Sequence, residues 1–294
     1  MALVSARSLL AVSDLHVSHE RNREVVDRIR PTSDGDWLIV AGDVAETVAD
    51  IEATLRLLRD RFARVIWVPG NHELWTTRQD PVQLRGEARY HHLVEVCRGL
   101  GVLTPEDPYP VWETDESSYV VAPLFLLYDY SFRDPNTSLD AAMKHAYETG
   151  VVCTDEFMLH PDPYPTRADW CRQRIEVTEP RLAAIPQHQR TILVSHWPLH
   201  QGPTRMLRFP QFAMWCGSTR TADWHVRFRA EVAVSGHLHI PLTLFYDGVR
   251  FEEVSLGYPR EWQRRGSGLP DPVRRILPVD QNRQPAGQFA AIRA

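Results

Sequence analysis

The chain lacks the cysteine spacing of a disulfide framework or of a thiolate zinc site. Its four cysteines are widely scattered and form no C-x-x-C pair; they are Cys97, Cys153, Cys171 and Cys216. Disulfide scaffolds and zinc fingers both depend on cysteines at short, paired spacings. We therefore expect neither kind of site, and a reduced cytoplasmic location fits this cysteine usage best.

Long apolar runs are also missing. The longest, such as Pro123–Tyr128, are far too short to cross a bilayer, which takes about 20 apolar residues. Near the N-terminus, the apolar run Ser8–Val12 is soon followed by Asp14, and no small-residue cleavage site is evident. We interpret this run as a first strand and expect no membrane partner.

The chain has no excess of positive charge. Its formal net charge at pH 7 is -5, and its lysines and arginines form no cluster. Binding to a nucleic acid backbone requires such clusters, so the charge argues against nucleic acid as a partner. It leaves room for a local basic pocket that binds a small anion. With 294 residues and a hydrophobic fraction of 43%, the chain is long enough for one large α/β domain, and we treat 1–294 as such.

Histidine, in contrast, is abundant, with 13 residues, several of which directly follow strand-like runs. The run Val65–Val68 favours a packed strand, and it stops at Pro69-Gly70 before three polar residues, Asn71, His72 and Glu73. Four other apolar runs end in the same way, at Asp14 and His16, at Asp43, at His196, and at His237 and His239. Open α/β sheets bind ligands at the carboxyl ends of their strands. These side chains are therefore expected to meet at one edge.

The order of the elements predicts a mainly parallel inner sheet with helices on its faces. Strands alternate with helical patterns over 21–30, 46–62 and 85–100, which is the βαβ signature. Asp247-Gly248 predicts a tight hairpin between strands at 242–246 and 251–256. A long strand is expected over Ser118–Tyr128. Residues 129–168 are interpreted as an irregular insertion over the site, or as a plain surface excursion, and 257–294 as a surface-wrapping tail.

Taken together, the five polar blocks resemble a known family. D-x-H at Asp14, G-D at Asp43, G-N-H-E from Gly70, a lone His196 and G-H-x-H from Gly236 follow the pattern of the calcineurin-like metallophosphoesterases. The match runs from Asp14 to His239 and fills every metal-ligand position of that pattern. The resemblance implies a four-layer α-β-β-α sandwich with two mixed sheets. Taken singly, each residue also has a purely structural interpretation, such as a turn former at Asp14 or a helix cap at Asp43.

The resemblance also implies a role for each position. The first of two divalent ions (Mn, Fe, Zn or Ni) would be held by Asp14, His16, Asp43 and His239, and the second by Asp43, Asn71, His196 and His237. Asp43 would bridge the ions, and a shared hydroxide would attack the phosphorus in line with the leaving group. His72 would contact the phosphate or protonate the leaving oxygen. Glu73 is expected to support the site or begin a helix rather than bind metal.

The sequence thus predicts a phosphoester hydrolase, acting as a phosphomonoesterase or a phosphodiesterase on a phosphorylated substrate of small to medium size. The expected partner is a phosphorylated small molecule. A nuclease, a protein phosphatase of the same superfamily and a non-catalytic scaffold remain as alternatives. Four residues are candidates for substrate binding: Arg205, Arg208, Arg220 and His225. For each arginine taken singly, a solvated surface residue is the better interpretation. The native metals and the oligomeric state are not predicted.

Overall fold

The structure, a computed structural model, describes residues 7–114 and 117–278. Its strands are β1 (Leu9–Val12), β2 (Trp37–Val40), β3 (Arg64–Trp67), β4 (Val111–Glu113), β5 (Ser118–Pro123), β6 (Arg190–Val194), β7 (Ala230–Ser235), β8 (Leu242–Tyr246), β9 (Val249–Glu253) and β10 (Arg274–Leu277). The α-helices are α1 (Glu20–Val26), α2 (Val48–Arg59), α3 (Asn71–Leu74), α4 (Gly86–Gly99), α5 (Leu139–Glu148), α6 (Asp155–Met158), α7 (Arg167–Ala183), α8 (Trp224–Arg227) and α9 (Pro259–Arg265). Three 3₁₀ helices, η1 (Gly202–Met206), η2 (Pro210–Trp215) and η3 (Thr219–Thr221), follow β6.

The strands form two mixed sheets. In the first sheet the order is β10-β1-β2-β3, where β1, β2 and β3 are parallel and β10 is antiparallel to β1. In the second the order is β4-β5-β6-β7-β9-β8, with a parallel centre and an antiparallel strand at each edge. The predicted hairpin is present as β8 and β9, and Asp247 and Gly248 both have positive φ in its turn.

Both faces of each sheet are buried, which explains the continuous apolar runs of the sequence. In β1, Leu9 belongs to the core between the two sheets, whereas its neighbour Leu10 packs into the larger core that includes the helices. In β6, Ile192 likewise belongs to the core between the sheets, and Leu193 to the larger core. This alternation, which follows from the period of two in a strand, produces the expected four-layer α-β-β-α sandwich.

The two sheets meet where the strands carrying the polar blocks end. The backbone of Ser13, just after β1, donates to the carbonyl of Val254 at 3.0 Å, and the backbone of Leu256 donates back to Ser13 at 2.8 Å. The backbone of Gly236 after β7 donates to the carbonyl of His196 after β6 at 3.0 Å. These bonds bring the carboxyl ends of β1, β6 and β7 to one edge of the sandwich.

The strand expected over Ser118–Tyr128 is shorter than predicted. It ends at Pro123, and the backbone of Leu124 makes one further bond to Val194. Beyond that point the partner strand β6 has also ended, so residues 125–128 have no ladder to join. They are nevertheless buried, and Leu127 has a φ of 103°. Burial rather than strand pairing accounts for their apolar character.

The chain after residue 257 does more than follow the surface. Residues 257–278 run through α9 and then β10, which pairs with β1 as an edge strand. Ile276 is fully buried between the sheets, which gives β10 its place. The rest of the expected tail, 279–294, lies outside the described residues. Within the described ranges, no helix combines the length and the apolar character needed to cross a membrane.

Candidate metal centre

The polar blocks lie in loops with an unusual backbone. Five of the predicted ligands have positive φ: Asp14, His16, Asp43, His237 and His239, with values from 39° to 73°. This region is unfavourable for residues other than glycine, and such strain concentrates at functional sites. The loops are held in it by bonds between them, since the backbone of Asp14 donates to Gly42 at 2.9 Å and that of His16 to Asp43 at 3.0 Å.

Four side chains form a first group. Ligand atoms of Asp14, His16, Asp43 and His239 all lie within 4.8 Å of one another. The Nε2 atoms of His16 and His239 are 3.1 Å apart, and His239 Nε2 is 3.0 Å from Asp14 Oδ1. Carboxylate oxygens and ring nitrogens therefore converge on one point, with the geometry of a site for a divalent ion.

A second group lies on the other side of Asp43. The side-chain oxygen of Asn71 is 3.2 Å from both His196 Nε2 and His237 Nδ1. Asp43 Oδ2 lies 3.5 Å from His196 Nε2 and 3.9 Å from His16 Nε2. One carboxylate oxygen thus faces both groups, and Asp43 is the residue that can bridge two ions. All seven predicted ligands are brought together.

The charge state of the centre fits metal ions. Burial acts to raise the pKa of Asp14, but His239 lowers it overall, so the carboxylate is charged. Burial lowers the pKa of His237 to about 3, which leaves its ring neutral and able to bind a metal. The Nε2 atom of His237 and the Nδ1 atom of His16 are buried without a hydrogen-bond partner in the described chain. Burial acts to lower the pKa of His196 and His239, but Asp43 and Asp14 raise both pKa values to about 10, so these two rings hold protons that a bound cation would displace. Buried carboxylates among imidazoles are a donor set that divalent cations satisfy.

His72 lies beside this centre, next to Asp43. Its Nδ1 is 2.8 Å from Glu46 Oε1, and its Nε2 is 3.8 Å from Asp43 Oδ2. The ring packs on Trp75, with 3.7 Å between centroids. Burial acts to lower the pKa of His72, but Asp43 and Glu46 raise it above the usual value. Since Glu46 holds Nδ1, the other ring nitrogen faces Asp43, on the side of the proposed ligands.

Glu73 fastens two of the loops together. Its carboxylate accepts from the backbone of Gly70 at 2.9 Å, and also from the backbones of Asp43 at 2.9 Å and Val44 at 2.8 Å. It therefore caps the start of α3 and ties the loop of Asp43 to that of Gly70. Gly70 is required by close approach, because a Cβ there would lie 2.1 Å from Asp43 Oδ1.

Four residues that the sequence analysis did not assign also border the centre. Glu261 Oε2 is 2.7 Å from His239 Nδ1, and Asp155 Oδ1 accepts from the amide nitrogen of Asn71 at 2.9 Å. Glu46 lies three residues after Asp43 in the sequence, and this closeness to a proposed ligand is the local signal that marks it. Glu261 and Asp155 lie in segments far away in the chain, so no local pattern marks them.

Tyr258 is the fourth of these residues, and it covers the histidines. Its ring stacks on His16 with 4.5 Å between centroids, and it meets His239 edge-on at 4.8 Å. Its hydroxyl is 3.4 Å from His72 Nε2. The segment after β9 thus returns to the centre and contributes an aromatic wall with one polar atom.

The four substrate-binding candidates lie in different surroundings. Arg205 is exposed within η1, Arg208 is exposed just after it, and Arg220 is exposed and 3.9 Å from Glu176. His225 is buried in α8, where its Nε2 is 3.0 Å from Asp247 and its ring packs edge-on against Phe251. The described contacts do not join any of the four to the metal ligands.

Three comparisons with known proteins agree with one another. A family model described as calcineurin-like phosphoesterase matches residues 7–241. The acyl-carrier-protein phosphodiesterase PptH of Mycobacterium tuberculosis (strain ATCC 25618 / H37Rv) is 53% identical over 272 residues, which cover 90% of this chain and 84% of that protein. The crystal structure of phosphopantetheinyl hydrolase (PptH) from the same organism matches with a TM-score of 0.93 at 51% identity, covering 96% of this chain and all of that chain.

Proposed function

The chain belongs to the calcineurin-like phosphoesterase family and is a phosphoester hydrolase, and we propose that it is a phosphodiesterase that removes phosphopantetheine from a carrier protein. The observation that carries this choice of substrate is the 53% identity to a relative named for that activity, over nearly the whole of both chains. The retained metal-ligand pattern supports turnover rather than a scaffold role. A small free phosphodiester, in line with the expectation from the sequence, is the competing substrate.

Two divalent ions would be held by the two groups that share Asp43. Asp14, His16 and His239 would complete the first site, and Asn71, His196 and His237 the second. When bound, such ions supply positive charge that neutralises phosphoryl oxygens and acidifies water near neutral pH. The mixed carboxylate and imidazole donors suit Mn, Fe, Zn or Ni and do not select among them.

The side chains around the ions would handle the substrate. In the proposed reaction the oxygen of water bonds to phosphorus, the bond from phosphorus to the serine oxygen of the carrier breaks, and that oxygen takes up a proton. His72 is placed by Glu46 with its Nε2 toward Asp43, which suits contact with the phosphate or donation of this proton. Tyr258 supports the same nitrogen from the other side.

Mass spectrometry of intact proteins tests this assignment. The purified protein, loaded with Mn²⁺, is incubated with a phosphopantetheinylated carrier protein. We expect the carrier to lose the whole phosphopantetheine group and to recover a free serine, and we expect the Asp43→Asn variant to leave it intact. A carrier that keeps its phosphate would show cleavage of the other ester bond. A wild-type protein that hydrolyses bis(p-nitrophenyl) phosphate but never the carrier would contradict the substrate and favour a small free diester.

We also propose a cytoplasmic location, since a reduced compartment suits four buried thiols.

A further inference from the structure

Two excursions of the chain meet beside the second group of ligands. Phe212 of η2 stacks on His237, with 5.9 Å between ring centroids and 27° between planes. Trp215 of the same helix donates from its indole nitrogen to Glu156 of α6 at 2.8 Å. Because Asp155 of α6 in turn holds Asn71, η2 and α6 border the same side of the centre.

The surface next to this side is both apolar and basic. Met206 is 53% exposed and Phe209 is 52% exposed, although both are large hydrophobic residues. Arg205 and Arg208 are exposed between and beside them, and the guanidinium carbon of Arg208 lies 5.4 Å from the centroid of the Phe209 ring. We call these four residues, Arg205, Met206, Arg208 and Phe209, the docking face.

The arginines of the docking face differ from Arg167, which follows α6 in the segment that borders the centre and pairs with Glu156 at 3.0 Å. Within the described residues, Arg205 and Arg208 make neither an ion pair nor a hydrogen bond, in a chain whose net charge is -5. Arginines free to bind carboxylates beside exposed apolar side chains are typical of protein interfaces, where both residue types supply much of the binding energy.

The chemistry of the substrate requires a surface of this kind. If the proposed function is correct, the bond that breaks joins phosphorus to a serine oxygen of the carrier, so the phosphorus is bonded directly to a side-chain atom of the carrier. The flexible arm extends to the other side of the phosphorus and cannot span the distance between the two proteins. The body of the carrier must therefore approach the rim of the metal centre.

We propose that the docking face binds the carrier protein. This proposal rests on the proposed function and adds where the substrate protein is bound. Carboxylates on the surface of the carrier pair with Arg205 and Arg208, and an apolar side chain of the carrier packs on Met206 and Phe209. The partner is thus an acidic protein with an apolar patch next to its modified serine. Long-range attraction to the arginines also makes its association sensitive to ionic strength.

Steady-state kinetics on two substrates test this proposal. Arg205→Glu/Arg208→Glu and Phe209→Ala variants, loaded with Mn²⁺, are assayed with an acidic phosphopantetheinylated carrier protein and with bis(p-nitrophenyl) phosphate. We expect kcat/KM for the carrier to fall at least tenfold, through KM, while hydrolysis of the small diester is unchanged. In the wild type, added NaCl should lower kcat/KM for the carrier only, and this dependence should flatten in the double arginine variant.

Matched controls separate docking from general damage. Arg28→Glu/Val111→Ala makes the same kinds of change at exposed residues in the turn after α1 and on the edge strand β4, and it should keep full activity on both substrates. Carrier hydrolysis that is unchanged in the docking-face variants would overturn the proposal and leave the proposed function standing. An equal loss on both substrates would also overturn it, because the centre itself would then be affected. A wild-type protein that cleaves only the small diester would instead show failure of the proposed function.

Discussion

The carboxylate of Asp155 accepts a hydrogen bond from the side-chain nitrogen of Asn71 at 2.9 Å. This bond turns the oxygen of the amide in the opposite direction, toward His196 and His237, each of which has a ring nitrogen 3.2 Å from it. The same oxygen of Asp155 accepts from the indole of Trp75 at 2.7 Å. A residue of the 129–168 segment therefore fixes the orientation of one proposed metal ligand.

Removal of this hydrogen bond should weaken the second metal site. In an Asp155→Ala variant the amide of Asn71 is free to rotate, and supporting residues of this kind are worth about 10–100-fold in metal affinity or activity. We expect activity to require more Mn²⁺ for half-saturation, with the first ion bound as in the wild type. A titration of activity and bound Mn²⁺ measures this.

Trp75→Phe provides the control for that variant. It deletes the other donor to Asp155 and leaves the bond to Asn71 in place, so the Mn²⁺ requirement should change much less. If Asp155→Ala saturates at the same Mn²⁺ concentration as the wild type, the carboxylate does not orient Asn71 for metal binding.

His72→Ala should separate turnover from metal binding. The ring is not among the seven proposed ligands, and a positioned acid or base contributes about 10²–10⁴-fold to the rate. We expect kcat to fall within that range while both metals stay bound, as measured by elemental analysis of the purified variant. Loss of metal together with activity would mean that His72 belongs to a metal site instead.

Tyr258→Phe should have a smaller and more selective effect. The change keeps the ring that stacks on His16 and removes the hydroxyl 3.4 Å from His72 Nε2. We expect kcat to decrease about tenfold, in line with one lost hydrogen bond, and thermal stability to change little. Tyr258→Ala, which also removes the packed ring, should lower the unfolding temperature. Equal kcat in the wild type and the phenylalanine variant would exclude a catalytic part for the hydroxyl.

Away from the centre, Glu106 should contribute stability that depends on pH. Its Oε1 is 2.6 Å from both Arg174 Nη2 and the Tyr90 hydroxyl. Burial acts to raise the pKa of Glu106, but Arg174 and Tyr90 lower it below the usual value. A carboxylate with a lowered folded pKa stabilises the protein above its unfolded pKa, and this contribution is lost as pH falls through the folded pKa.

Glu106→Gln tests that contribution. At pH 7 the variant should unfold with a free energy about 1–3 kcal/mol lower, the usual worth of hydrogen bonds to a charged group. The difference should shrink as the pH is lowered below the usual pKa of glutamate. Thermal unfolding at several pH values measures it, and a difference that is constant with pH would contradict the role of the charge.

The sequence predicted the fold and pointed to the proposed metal ligands because both depend on local patterns. Apolar runs marked the strands, and each run ended at the residues that the parallel sheets then bring to one edge. Glu261 and Asp155 could not be predicted, since they reach His239 and Asn71 through folding of distant segments. The end of β5 at Pro123 was missed because buried coil and buried strand have the same apolar composition.

We propose that hydrolysis requires two ions, bound on either side of Asp43. The decisive measurement starts from metal-free protein. Mn²⁺ is added in steps while hydrolysis of bis(p-nitrophenyl) phosphate and the amount of bound metal are both followed. We expect activity to reach its maximum at two bound ions per chain and Asp43→Asn to remain inactive throughout the titration. Full activity at one bound ion, or activity that persists in the metal-free protein, would contradict it.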